Sequence, residues 1–152
     1  MPKGSRRIKV VVDTNVFIGN FLSKTATSSN RRVIRMWLID RALKLAISNE
    51  IQQEYLLTFE EILGFDRKAL RAWRKRFDDR RIVDKVQPGR VRRISRDSKD
   101  DIFIAVAAGA KAKFLITNDR DLLDIDENQR RNLKFQIITP HTFVNRWDGG
   151  SI

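Results

Sequence analysis

Three consecutive valines that run directly into an aspartate, at residues 10–13, restrict the fold more than any other feature of the chain. The short, β-branched segment Ile8–Val12 predicts a strand that is buried on both faces, as in the centre of a parallel sheet. A carboxylate at the end of such a strand is costly unless it caps a helix, pairs with a cation or binds a metal. The role of Asp13 therefore depends on where the other acids lie.

The rest of the chain alternates predicted strands and helices. Further strands are predicted at Leu43–Ile47 and at residues 81–86, 114–117 and 135–139. Helices are predicted at Thr14–Leu22 and residues 31–43, after Ser48, from Asp66, at residues 100–110 and from Pro140. This alternation, in a chain of 152 residues, predicts one α/β domain over residues 1–152, with its core at about 8–147 and a parallel central sheet.

The net charge of +12 favours a polyanionic partner: nucleic acid, an acidic protein or a membrane surface. Residues 66–96 carry 13 lysines and arginines against four aspartates, so a net +9 lies in this one segment. A solvated helix face would show the same pattern. The candidate nucleic-acid-binding residues of the segment are Arg71, Arg74, Lys75, Arg90, Arg92, Arg93 and Arg96.

Two absences from the composition exclude whole classes of protein. The chain has no cysteine, which excludes disulfides and cysteine-type zinc sites. No apolar run approaches the roughly 18–20 residues of a membrane span, and the N-terminus has no apolar signal core. We therefore expect a cytoplasmic protein with no membrane partner.

Four acids form a candidate constellation. Asp13 and Asp119 each follow a predicted strand directly, and the carboxyl ends of parallel strands meet at one crevice. Glu54 lies near the buried edge of the third predicted helix, and Asp100, with Asp101 beside it, opens the helix before the fourth strand. Taken alone, Asp100 fits a helix cap and Glu54 a solvated helix residue. Clustered together, such carboxylates repel unless a cation such as Mg²⁺, which takes oxygen ligands, neutralises them.

Four segments of the chain resemble the landmark segments of a PIN domain. They are VVDTNVFIGNFLS, SNEIQQEYLLTF, DSKDDIFIAVAAGAKAKFLITNDRDLL and IITPHTF. They occur in that family's order and at its spacing, and they cover residues 8–147. The third segment is long and much more specific than the short first one. Within the family, the chain resembles bacterial toxin components of toxin–antitoxin systems that are related to the VapC toxins.

The resemblance implies a three-layer fold, with a parallel sheet of about five strands between helices, and a ribonuclease site that uses Mg²⁺ or Mn²⁺. The catalytic and metal-holding acids that it implies are Asp13, Glu54, Asp100 and Asp119. The supporting or rival positions are Asn15, Asp101, Thr117, Asn118 and Asp121. Asn118 stands where this group commonly has glycine. Whether Asp100 or Asp101 is the third acid stays open, because other PIN subgroups place that acid one residue nearer the fourth.

These features predict a metal-dependent endoribonuclease that is the toxin of a toxin–antitoxin pair. The expected partners are RNA, an acidic antitoxin and, since the family commonly forms dimers, a second copy of the chain. The alternative is a non-catalytic module with a PIN fold that binds nucleic acid or the antitoxin. A phosphoryl-transfer enzyme is disfavoured, because the nearby Lys111 and Lys113 precede the fourth strand instead of following it. His141, the only histidine, cannot form a histidine-based metal site.

Overall fold

A five-stranded parallel sheet forms the centre of the protein, in a computed structural model that describes residues 7–89, 91, 94–95 and 98–152. The strands are β1 (Ile8–Val12), β2 (Leu43–Ile47), β3 (Val83–Lys85), β4 (Phe114–Ile116) and β5 (Gln136–Ile138). Their order across the sheet is β3-β2-β1-β4-β5, and every neighbouring pair is parallel. The expected parallel sheet of about five strands is confirmed.

Helices cover both faces of this sheet. In the described residues they are α1 (Thr14–Leu22), α2 (Ser29–Leu38), α3 (Asn49–Glu61), α4 (Arg67–Phe77), α5 (Asp101–Gly109), α6 (Arg120–Leu123), α7 (Glu127–Arg130) and α8 (Pro140–Asp148). α1 contacts both α2 and α3, α3 contacts α4, α8 contacts α2, and α5 packs against β1, β2 and β4. Because the chain reverses direction across the sheet after β3, right-handed crossovers place α5 on the opposite face from α1–α4. The three-layer α/β architecture is confirmed.

The reversal in strand order creates a crevice at the carboxyl edge of the sheet. β1 and β4 are neighbours, and their last paired residues are Val12 and Ile116. From β1 the chain travels towards β2, and from β4 it travels towards β5, on the other side. Neighbouring strands whose connections diverge in this way leave a ligand-binding crevice beyond their carboxyl ends. The residues that follow both strands therefore face one shared space.

An aromatic cluster fixes α1, the helix that follows Asp13. Phe17 is fully buried, and five other aromatic rings lie 4.7–6.0 Å from its ring centroid. They belong to α2, α3 and α4 and are Trp37, Tyr55, Phe59, Trp73 and Phe77. The rings thus tie four helices together beneath the start of α1.

The observed boundaries differ from the sequence-based expectations at several places, and β4, β5 and α5 are each one or two residues shorter than expected. The second helix ends at Leu38 and not at residue 43, because Arg41 adopts a left-handed φ of 55° and the N–H of Ala42 bonds back to Met36. No glycine marks that stop in the sequence. The strand expected at residues 81–86 is shorter, at Val83–Lys85, and the two four-residue helices α6 and α7 were not expected.

Replacement of Phe17 by alanine tests the aromatic cluster. We expect the free energy of unfolding to fall by about 3–5 kcal/mol, since the change removes a fully buried ring and leaves a cavity. Urea denaturation measures the change, with Leu57→Ala on the exposed side of α3 as the control. A loss for Phe17→Ala no larger than that of Leu57→Ala would contradict the central role of this ring.

Candidate metal centre

Asp13 lies at the point where β1 ends and α1 begins. Its backbone N–H donates to the carbonyl of Ile116 at 2.9 Å and so extends the pairing of β1 with β4 by one residue. Its carbonyl accepts from Val16 at 3.0 Å as α1 starts. Its side chain makes no capping bond to that helix. The carboxylate is only 5% exposed and receives side-chain hydrogen bonds from Thr117 and Asn15. Asp13 therefore occupies the N-cap position of α1 without a side-chain capping bond.

Three of the predicted acids meet at the crevice. Asp13, Asp100 and Asp119 each offer a carboxylate oxygen, and these oxygens lie within 4.8 Å of one another. Asp100 ends the 3-10 turn Ser98–Asp100 that leads into α5, and Asp119 precedes α6. The first two acids are buried and the third is partly exposed, so the group opens to solvent on one side. We call Asp13, Asp100 and Asp119 the acid trio.

The environment of Asp13 disfavours its negative charge. Burial is the largest cause that raises its pKa from the usual 3.8 to about 6, and the carboxylates of Asp119 and Glu54 contribute to the same rise. The Thr117 hydroxyl and the backbone N–H of Thr14 act in the opposite direction and lower the pKa. A proton or a cation in the crevice would relieve this electrostatic cost.

Thr117 connects two members of the acid trio. Its hydroxyl donates to Asp13 Oδ2 at 2.6 Å and accepts from the backbone N–H of Asp119 at 2.9 Å. Asn15 Nδ2 donates to the same Asp13 oxygen at 3.1 Å. On the other side, Asp119 Oδ1 accepts from the backbone N–H of Asp121 at 2.9 Å. Neutral donors thus orient two of the acids.

Glu54 stands outside the acid trio but close to it. Its carboxylate on α3 accepts a hydrogen bond from the Thr14 hydroxyl, and its charge contributes to the raised pKa of Asp13. Beside it, the Tyr55 hydroxyl donates to the carbonyl of Val12 and ties α3 to the end of β1. Sequence reasoning missed Thr14 and Tyr55. The polar run DTN was the available signal for the first, while Tyr55 is part of an apolar stripe.

Asp100 and Asp101 are neighbours in the chain, but their side chains contact different groups. Asp101 is 2% exposed, and its Oδ1 accepts from the backbone N–H groups of Ile94 at 3.0 Å and Ser95 at 2.7 Å. It therefore anchors the segment before α5, whereas Asp100 belongs to the acid trio. Of the two rival acids, the geometry favours Asp100 as the one that faces the crevice.

Asn118 and the described basic candidates on α4 are exposed. Asn118 is exposed and has hydrogen bonds to two other asparagines. On α4, the exposed Arg71, Arg74 and Lys75 project from a helix whose buried side is Trp73 and Phe77. The other four candidate RNA-binding residues lie outside the described residues and are Arg90, Arg92, Arg93 and Arg96.

The donor set of the acid trio suits a hard divalent cation. All three ligands are carboxylate oxygens, the type that Mg²⁺ and Mn²⁺ prefer. In an octahedral site with metal–oxygen bonds of about 2.1 Å, ligand oxygens are about 3.0–4.2 Å apart. The 4.8 Å limit on the trio lies slightly above this range, so a small inward movement of the carboxylates would enclose an ion.

Comparison with known proteins defines the class of this protein. The family profile described as the PIN domain matches residues 9–121, so the chain belongs to the PIN-domain family. The resemblance seen in the sequence is thus confirmed at the level of that family.

One protein of similar sequence and one structure of similar fold each match most of the chain. An uncharacterized protein of Methanocaldococcus jannaschii, MJ1680, is 27% identical over 150 aligned residues, which cover 93% of each chain. The crystal structure of VapBC2 from Rickettsia felis, bound to a DNA fragment from their promoter, matches 87% of this chain and 98% of its own chain. That match has a TM-score of 0.53 at 12% identity and concerns the fold.

The helices in the described part of the chain are short or polar relative to a membrane span. None of them is both long enough and apolar enough to cross a bilayer.

The raised pKa of Asp13 predicts how stability depends on pH. Since its folded-state pKa of about 6 exceeds the ordinary 3.8, stability falls as pH rises through this interval and the folded carboxylate ionises. Asp13→Asn removes the charge but keeps an acceptor for Thr117. We expect it to raise the free energy of unfolding by about 1–3 kcal/mol above pH 7 without divalent ions, and by little below pH 4.

Denaturation at pH 4 and pH 8 in EDTA measures this effect. The control is Asp126→Asn at the exposed cap of α7, which should behave alike at both pH values. An Asp13→Asn variant that is less stable than the wild type at pH 8 would contradict the electrostatic account.

Proposed function

We propose that this protein is a divalent-metal-dependent endoribonuclease and the toxin of a toxin–antitoxin pair. The observation that carries the proposal is the acid trio, in which three carboxylates from separate segments converge where β1 and β4 end. The arrangement does not stabilise the negative charge of Asp13, because burial and the charge of Asp119 raise the pKa of that carboxyl. It suits a cation-holding site for chemistry on phosphate esters.

Asp13, Asp100 and Asp119 would hold Mg²⁺ or Mn²⁺. Glu54, which accepts a hydrogen bond from Thr14 beside the trio, would be a fourth acid of the site. When bound, the ion would neutralise charge on the phosphate and lower the pKa of water for attack. That supply of a nucleophile at neutral pH means that no histidine base is needed. His141, the chain's one histidine, contacts Asn145 within α8.

The residues around the acid trio would orient it. Thr117 and Asn15 hold Asp13 in one orientation, and Thr117 also fixes the backbone of Asp119. The acids alone would repel an RNA phosphate, so productive binding needs the cation in place first. Hydrolysis in this arrangement would leave a 5′-phosphate and a 3′-hydroxyl.

RNA as substrate is supported by the charge of the protein and by the resemblance to VapC-type toxins. The exposed residues Arg71, Arg74 and Lys75 give α4 a cationic outer face. Contacts from such residues go mainly to phosphates and weaken steeply with salt. We extend this role to Arg90, Arg92, Arg93 and Arg96 on the basis of sequence position alone.

An acidic antitoxin and a second copy of the chain are the proposed protein partners. The antitoxin is supported by the similar fold of a chain in the VapBC2 structure and by the net charge of +12. An acidic chain that covered the basic face would compete with RNA for the same charges. The dimer rests on the habit of the family, and the cytoplasm is the proposed location.

Removal of one acid tests the nuclease. We expect purified protein to cut a labelled, partly structured RNA with Mg²⁺ or Mn²⁺ and not with EDTA. Asp13→Asn and Asp119→Asn should each lower the rate at least about 100-fold, because each removes a proposed metal ligand. Circular dichroism should show that both variants are folded.

The matched control for these variants is Asp126→Asn, which changes an exposed aspartate on α7 and should cut at the wild-type rate. Retained cutting by both trio variants would refute the assignment. Salt-sensitive RNA binding that survives EDTA, with no cutting by any protein, would instead identify a non-catalytic binding module.

The basic face of α4 is tested by the triple change Arg71→Ala, Arg74→Ala and Lys75→Ala. Loss of three phosphate contacts should reduce the slope of log affinity for single-stranded RNA against log salt by about 2. Filter binding across a salt series, in EDTA to prevent cutting, measures the slope. The control triple, Lys24→Ala, Arg131→Ala and Lys134→Ala, removes equal charge elsewhere. Equal slopes for the two triple variants would show that the basic face of α4 is a solvated helix surface that does not bind RNA.

A further inference from the structure

The turn after β4 is held by side-chain amides from two other segments. This turn carries Asn118 and then Asp119, a member of the acid trio. The backbone N–H of Asn118 donates to Asn15 Oδ1 at 3.2 Å, and its side-chain Nδ2 donates to Asn30 Oδ1 at 3.0 Å. Asn118 therefore does not hang free, although it is exposed.

Asn30 approaches α1 closely enough to depend on a glycine there. It lies in the first turn of α2, and its side chain packs over Gly19 in α1. A Cβ atom at Gly19 would lie 2.2 Å from Asn30 Nδ2 and 2.6 Å from its Cγ. No side chain larger than hydrogen fits beside this amide without displacing it. The Asn30 side chain thus packs closely against α1 and also accepts the hydrogen bond from Asn118.

The amides form one chain of contacts that ends at the acids. From Asn30 the contacts lead to Asn118, from there to Asn15, and from Asn15 Nδ2 to Asp13 Oδ2 at 3.1 Å. Every donor in this chain is neutral. A lysine or arginine in the same place would order the turn as well, but it would also neutralise the carboxylates and oppose a cation. Amides order the acids and leave their charge intact.

We infer that Asn30 is a positioning residue for the acid trio, which acts through Asn118 to hold the turn that carries Asp119. The predicted effect of Asn30, a higher affinity of the acid trio for a cation, rests on the proposed metal site. Its structural part, the ordering of the turn, needs no metal. Partners that orient metal ligands in this indirect way typically affect metal affinity about 10–100-fold.

Two measurements on Asn30→Ala test the inference. In metal-free protein, hydrogen exchange of the amide of Asn118 should become about 10-fold faster, because its turn loses a tether. By electron paramagnetic resonance of Mn²⁺, the same variant should bind the ion about 10-fold more weakly. Asn49→Ala, at an exposed asparagine in the first turn of α3, is the matched control and should change neither value.

A conservative variant and a double variant separate positioning from general damage. Asn30→Asp keeps the oxygen that accepts from Asn118, so it should restore slow exchange. The effects of Asn30→Ala and Asn118→Ala on Mn²⁺ affinity should not add in the double variant, because both remove the same contact. If the two losses of Mn²⁺ affinity add fully in the double variant, the two residues act independently and the inference is overturned.

Other results distinguish this inference from the proposed function. Unchanged exchange at Asn118 in Asn30→Ala would overturn the inference, and so would faster exchange with unchanged Mn²⁺ affinity. Wild-type protein that binds Mn²⁺ but cuts no RNA would remove the proposed nuclease and leave the positioning role of Asn30 standing.

Discussion

The pairing of β1 with β4 is the contact on which the rest of the structure depends. These strands are about a hundred residues apart in the chain, yet Val12 pairs with Ile116. The backbone N–H of Asp13 continues the pairing by donating to the carbonyl of Ile116. That register brings the Thr117 hydroxyl within 2.6 Å of the Asp13 carboxylate. A slip of one residue would turn the side chains that follow each strand to opposite faces and separate the acids. The site is thus a consequence of strand register.

The acid trio is electrostatically unfavourable, and the packing of the surrounding fold keeps its members in place. Burial and the charges of Asp119 and Glu54 raise the pKa of Asp13, so the folded chain works against its own carboxylates at neutral pH. Rigid contacts nearby supply the opposing constraint: the fully buried Phe17 fixes α1, and the Tyr55 hydroxyl holds the end of β1. Strain of this kind at a crevice is typical of sites that are completed by a ligand.

The strands and the crevice were predictable because their signals are local. The apolar run of β1, the Ser48 cap of α3 and the Pro140 start of α8 all appear in the sequence and in the structure at the same positions. The end of α2 was not predictable, since its left-handed residue is Arg41 and not glycine. Nor could spacing decide between Asp100 and Asp101. That choice depends on backbone N–H groups before α5 that only the folded chain brings to Asp101. The contact between Asn30 and Asn118 joins residues 88 positions apart and has no sequence signal.

The chain has a strong positive net charge, whereas the acid trio concentrates negative charge at one place. The charged groups that shift the pKa of Asp13 are Asp119 and Glu54, both acids. On α4, in contrast, Trp73 and Phe77 are buried while Arg71, Arg74 and Lys75 are exposed. A basic side chain within the acid trio would neutralise it and oppose a cation, whereas one on an outer surface can attract a polyanion over about a Debye length. If a cation binds the acid trio and RNA binds α4, as proposed, one small domain uses opposite charges for two different ligands.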